Sequence, residues 1–75
     1  MSSQAMQLMR MRELVRSGRA RELRVAARLS QAEVARTCKV DASTPHYWET
    51  GRVPRGRQAV LYARLLEDIE RALTA

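Results

Sequence analysis

Apolar residues recur at helical spacing along most of this 75-residue chain, and no stretch alternates with the two-residue period of a half-buried strand. Five helical pieces follow from the pattern. The first spans about Gln4 to Arg16, with Met6, Leu8, Met9, Met11, Leu14 and Val15 as apolar positions that do not form one clean stripe. Gly18 interrupts or kinks it. The second runs from about Arg19 to Arg28 and sets Ala20, Leu23 and Ala27 on one face; the two pieces also read as one long kinked helix.

The third piece has a sharp start. Ser30-Gln31-Ala32-Glu33 is a capping box, and the helix it opens runs to about Cys38 with Val34, Ala35 and Cys38 facing inward. Lys39-Val40 forms a turn. Asp41 is the expected N-cap of the fourth helix, with Ser43 or Thr44 as the alternative that would put Pro45 at the first helical position. Gly51 supplies the stop. After the basic turn Arg52-Val53-Pro54-Arg55-Gly56, the fifth helix covers about Arg57 to Leu73. Its apolar face of Ala59, Tyr62, Ala63, Leu66, Ile69 and Leu73 is widened by Val60, Leu61 and Leu65 beyond what a small core is expected to cover. That surplus points to self-association.

Composition narrows the function classes. The formal net charge is +6 and the pI about 11.0. Thirteen of the fourteen basic residues are arginine, whose planar fork suits phosphates and guanine edges. Residues 10–57 carry net +7 and residues 58–75 net −1, so the positive field belongs to the first two-thirds of the chain. Such a field favours a polyanion through counterion release. With one cysteine, Cys38, there is no internal disulfide framework, and one Cys with one His, His46, cannot build a zinc site. No run suits a signal peptide or a membrane span, so a cytoplasmic protein is expected. Nor is there a catalytic constellation or a Gly-rich phosphate loop; no enzyme activity, cofactor or metal is expected.

Two short helices joined by a tight turn between Ser30 and Gly51 make a helix-turn-helix unit. The segments Arg21-Glu22-Leu23-Arg24, Leu29 to Ala35, Val40 to Thr44, Trp48 to Arg52, and Pro54 together resemble the phage-repressor-like (Cro/Xre) helix-turn-helix family over about residues 19–66. The resemblance implies an all-α, five-helix lambda-repressor-like domain, here residues 19–75, preceded by an N-terminal helical extension, residues 1–18. It implies binding to double-stranded operator DNA through the major groove, as a homodimer on half-sites about 10–10.5 base pairs apart. Gln31 would then meet the sugar-phosphate backbone and a neighbouring recognition side chain. Ser43, Thr44 and Tyr47 would read bases or adjacent phosphates, with His46 beside them. The methyl of Ala42 can touch a thymine methyl. Trp48 falls at a buried position. Thr50 and Arg52 would meet phosphate, and Arg55 and Arg57, flanking the same turn, extend that contact.

This chain departs from the family pattern at three places. Lys39 stands where the turn usually has Gly, Pro45 replaces a usual Val or Ile and so removes a core side chain, and Ala42 cannot hydrogen-bond a base. The expected function is a sequence-specific DNA-binding regulator, repressor or activator, of a bacterial cell or phage-infected host. The alternatives are an adaptor or antitoxin whose N-terminal helix, Met6 to Val15, grips a protein partner, and an RNA binder using the arginine-rich segment 10–28.

Overall fold

A computed structural model describes residues 3–75, and among these every regular element is a helix. α1 spans Gln4–Ser17, α2 Arg19–Ala26, α3 Gln31–Cys38, α4 Thr44–Glu49 and α5 Gly56–Thr74. None of them is long and apolar enough to cross a membrane.

Ser3 caps α1 by accepting from the Met6 amide at 3.2 Å. The helix ends at Gly18, whose φ of +80° is a left-handed conformation that costs glycine little. The first two pieces are therefore two helices with a break, not one bent rod. α1 buries Met11, Leu14 and Val15, an i, i+3, i+4 stripe, and packs on α5 and α2. Met6 and Met9 lie off that stripe and are 53% and 54% exposed.

α2 ends two residues earlier than the pattern suggested. Its close is a Schellman motif: the Arg28 amide donates to the Val25 carbonyl at 2.9 Å and the Leu29 amide to the Arg24 carbonyl at 3.1 Å. α3 closes the same way, from Lys39 to Arg36 at 3.3 Å and from Val40 to Ala35 at 3.0 Å. Both motifs need a left-handed residue, and Arg28 and Lys39 supply it with φ of +59° each. A side chain in that region costs roughly 1–2 kcal/mol, part of which glycine returns through its freer unfolded state. Lys39→Gly is thus expected to raise stability by about 0.5 kcal/mol and the melting temperature by about 2–4 °C, measured by thermal circular dichroism. A lower melting temperature would show that the Lys39 side chain contributes more than its backbone costs.

The capping box at the start of α3 is complete. Glu33 N–H donates to Ser30 Oγ at 3.0 Å and Ser30 N–H to Glu33 Oε1 at 2.8 Å. These bonds hold the Glu33 carboxyl below its usual range.

The entry to α4 differs from the expected Asp41 cap. Asp41 sits two residues before the cap and ties the turn: its Oδ1 accepts from Ser43 N–H at 2.9 Å and Ser43 Oγ at 2.6 Å, and its carbonyl accepts from Thr44 N–H at 2.9 Å. Ser43 holds the cap position without making a side-chain cap bond. Pro45 lies in the first turn, where it removes no helical hydrogen bond, and its ring is fully buried. The expected loss of a core side chain there does not occur, because the pyrrolidine ring itself fills the position.

The core draws on every helix. Met11, Leu14, Val34, Cys38, Trp48, Tyr62 and Leu66 lie at its centre, and Leu8, Leu29, Val40, Val53, Leu61 and Leu65 pack against it. The Trp48 and Tyr62 rings meet with centroids 4.5 Å apart, tilted by 38°. Burial pushes the Cys38 thiol up to about 11, so it stays a neutral packing group at physiological pH. The apolar surplus of α5 is largely taken up inside the monomer. Leu61 and Leu65 pack on the core, and Leu73, 46% exposed, is the α5 residue among the large exposed apolar side chains.

Candidate nucleic-acid interface

α3 and α4 pack against each other across the turn at residues 39–43, and α4 is the shorter of the two. Six residues cannot sustain a helix alone, so packing must hold α4 in place. Pro45 and Trp48 are its buried side, three residues apart. The intervening His46 and Tyr47 are therefore left facing solvent, and Tyr47 is 46% exposed.

The far end of α4 is clamped by an ion pair. Arg24 of α2 holds Glu49 through Nε–Oε2 at 2.5 Å and Nη2–Oε1 at 3.2 Å, and its Nη1 donates to the Leu29 carbonyl at 2.8 Å. Gln31, first residue of α3, donates its amide to Glu49 Oε1 at 3.1 Å. One carboxylate therefore joins α2, α3 and α4. The side chains of Arg24 and Glu49 are only 14% and 5% exposed, so the pair sits in a low-dielectric setting where loss of one partner strands the other. The hydrogen bond to Glu49 raises the Arg24 guanidinium further above its already high range.

The residues expected at the interface lie on α3 and α4, in the turn between them or in the segment after α4, except Arg57, which lies in the first turn of α5. Ala42 and Ser43 are exposed in the turn before α4 rather than in the helix, and Thr44 opens the helix half-buried. The Ser43 hydroxyl donates its hydrogen bond to Asp41 Oδ1, which leaves Ser43 Oγ free to accept on the outer surface. The same bonds hold the Asp41 carboxyl below its usual range. Thr50 is exposed, but its hydroxyl donates to the Tyr47 carbonyl at 2.8 Å and so closes the last turn. Gly51, with φ of +110°, lets the chain leave: its amide donates to Trp48 O at 3.2 Å and the Arg52 amide to Tyr47 O at 3.0 Å.

That exit places the Arg52 guanidinium 4.9 Å from the centre of the Tyr47 ring, a cation–π pair that stiffens two long side chains on the outer surface. The His46 and Tyr47 rings meet edge to face, with ring centres 5.5 Å apart. Arg55 and Arg57 are exposed just beyond, and none of Arg52, Arg55 and Arg57 forms an ion pair among the described residues. The surface thus combines an acceptor hydroxyl, an amphipathic ring and three uncompensated guanidinium groups within fifteen residues of chain.

Three parts of this arrangement escaped the sequence. The Arg24–Glu49 clamp joins residues 25 apart, with no local spacing to reveal it. The Asp41–Ser43 turn was hidden because Asp41 reads equally as a helix cap, the role expected of it, while Ser43, the alternative, holds that position. The Tyr47–Arg52 stack depends on the direction in which Gly51 releases the chain.

The family model described as a helix-turn-helix domain matches residues 17–74, which contain α2 through α5 entire. No curated protein and no solved structure matches the chain. The matched length, the helix pair at its centre and the Leu29 to Arg52 motif coincide, and the chain belongs to the helix-turn-helix domain family.

Proposed function

We propose that this protein is a sequence-specific DNA-binding regulator, of the Cro/Xre kind, that works in the cytoplasm of a bacterial cell or an infected host. The observation that carries this reading is the outward face of α4. His46, Tyr47 and the turn residue Ser43 are exposed beside Arg52, Arg55 and Arg57, three arginines that form no ion pair among the described residues. A helix held by its buried side and flanked by such charges suits the major groove, with guanidinium groups on the adjoining phosphates. Gln31, Ala42, Thr44 and Thr50 complete the contact set of this reading.

In the same reading the protein pairs on a pseudo-palindromic operator as a homodimer. With the apolar face of α5 packed against α1, α2 and α3, the support for pairing rests on apolar side chains that remain exposed, among them Met6, Met9, Val25 and Leu73. Met6 and Met9 also favour the second reading, a protein partner gripped by α1. Deleting α1 cannot separate the two, because Met11, Leu14 and Val15 would leave the core with it.

Selection of bound duplexes from a random pool, followed by titration of the selected site, tests the proposal. Arg52→Ala should weaken binding to all sequences and reduce the salt slope by about one unit. Ser43→Ala and Tyr47→Ala should instead change which sequences are preferred. If the three variants behave alike, or no sequence is enriched, the assignment of α4 as the reading helix is wrong.

A further inference from the structure

α1 lies almost wholly outside the matched segment, yet one of its arginines shares an opening with the basic turn. A cleft of about 640 Å³ lies between the first three turns of α1 and the start of α5. Its lining includes apolar Leu8, Val53 and Val60 together with Arg12 and Arg55, and no carboxylate. The neighbouring cations of the same helix pair are treated differently. Arg10 is bound to Glu70 at 2.8 Å and Arg71 to Glu67 at 2.8 Å. Arg12 forms no ion pair among the described residues. Two guanidinium groups lining one acid-free opening repel each other and favour a polyanion between them. Arg55 stands three residues beyond Arg52, so this opening continues the surface that follows α4.

We propose that the cleft is a second seat for the duplex, in which Arg12 and Arg55 grip the sugar-phosphate strand and the apolar lining meets deoxyribose. This rests on the DNA-binding reading and extends it to a helix that the family pattern does not include. The strand enters the cleft after passing Arg52, and α1 serves both as a core element and as a clamp.

The test is fluorescence anisotropy with a labelled 20-base-pair duplex of arbitrary sequence, titrated across a salt series with the parent protein, Arg12→Gln and Arg64→Gln. Arg64 is exposed on α5 and does not line the cleft, so its variant controls for loss of one charge. Arg12→Gln is expected to lower affinity about 3–10-fold near 100 mM salt and to reduce the slope of log K against log salt by about one; Arg64→Gln should do less than half of this. Melting curves check that both variants fold. Equal behaviour of the two variants, with a steep parent slope, overturns the cleft proposal and leaves the DNA reading standing. A parent protein that shows no salt-dependent duplex binding overturns the DNA reading itself. A third arm uses a labelled amphipathic peptide of leucine and glutamate. If Arg12→Gln weakens the peptide and not the duplex, the cleft is a protein-docking site and the proposal falls.

Discussion

Replacing Glu49 with alanine is expected to destabilise the protein by about 2–4 kcal/mol, because it leaves the Arg24 guanidinium buried without its carboxylate. For a chain of this size that is a fall of roughly 10–25 °C in melting temperature. It is also a large share of the roughly 4–11 kcal/mol that such a domain has in total. The substitution removes the bonds to Arg24 and Gln31 together, so α4 loses the polar ties of Glu49 to α2 and α3 at once. The double variant Arg24→Met/Glu49→Met should recover much of the loss, since a well-packed apolar pair can replace a buried ion pair at little cost. Urea denaturation of the single and double variants gives the coupling directly. A single variant within about 0.5 kcal/mol of the parent would mean that water already screens the pair, and the clamp would have no structural role.

Met11→Ala carries the second large effect. Met11 is 0% exposed, and α1 packs against both α5 and α2. Truncation to alanine removes three heavy atoms from a closed interior and leaves a cavity, with an expected loss of about 2–4 kcal/mol. Met9→Ala, two residues away on the exposed side, should change stability by less than about 0.5 kcal/mol. Thermal melts of the pair therefore ask whether α1 is an integral wall of the domain or an appendage. Equal melting temperatures for the two variants would make it an appendage.

Local signals in the chain were easy to read where neighbours along the sequence make the structure. Ser30 and Glu33 are three residues apart and complete each other's caps, so the start of α3 was visible. The face of α5 from Ala59 to Ile69 follows a helical period and is buried as expected. Gly51 stops α4 where a left-handed residue was required. The stripe of α1 was harder. Met6, Leu8 and Met9 surround Met11, Leu14 and Val15 with side chains of similar hydrophobicity, and only the position of α5 decides which are covered.

Pro45 hides its role for a different reason. The ring is itself an apolar body, and it is fully buried in the turn of helix that also buries Trp48. The outer face of the candidate site was legible as a set of residues and illegible as an arrangement. Ser43 as an acceptor and Arg52 lying on Tyr47 depend on hydrogen bonds and turns that only the folded chain sets.

The shortness of α4 has one more consequence. Fixing a residue's backbone costs about 1–2 kcal/mol in lost freedom, and six residues outside a protein would not stay helical. Here Pro45 and Trp48 are anchored from within and Glu49 is held from two sides, so this loss of freedom falls on folding. Under the proposed function, α4 meets the duplex already in shape, and the association need not supply the ordering free energy a second time.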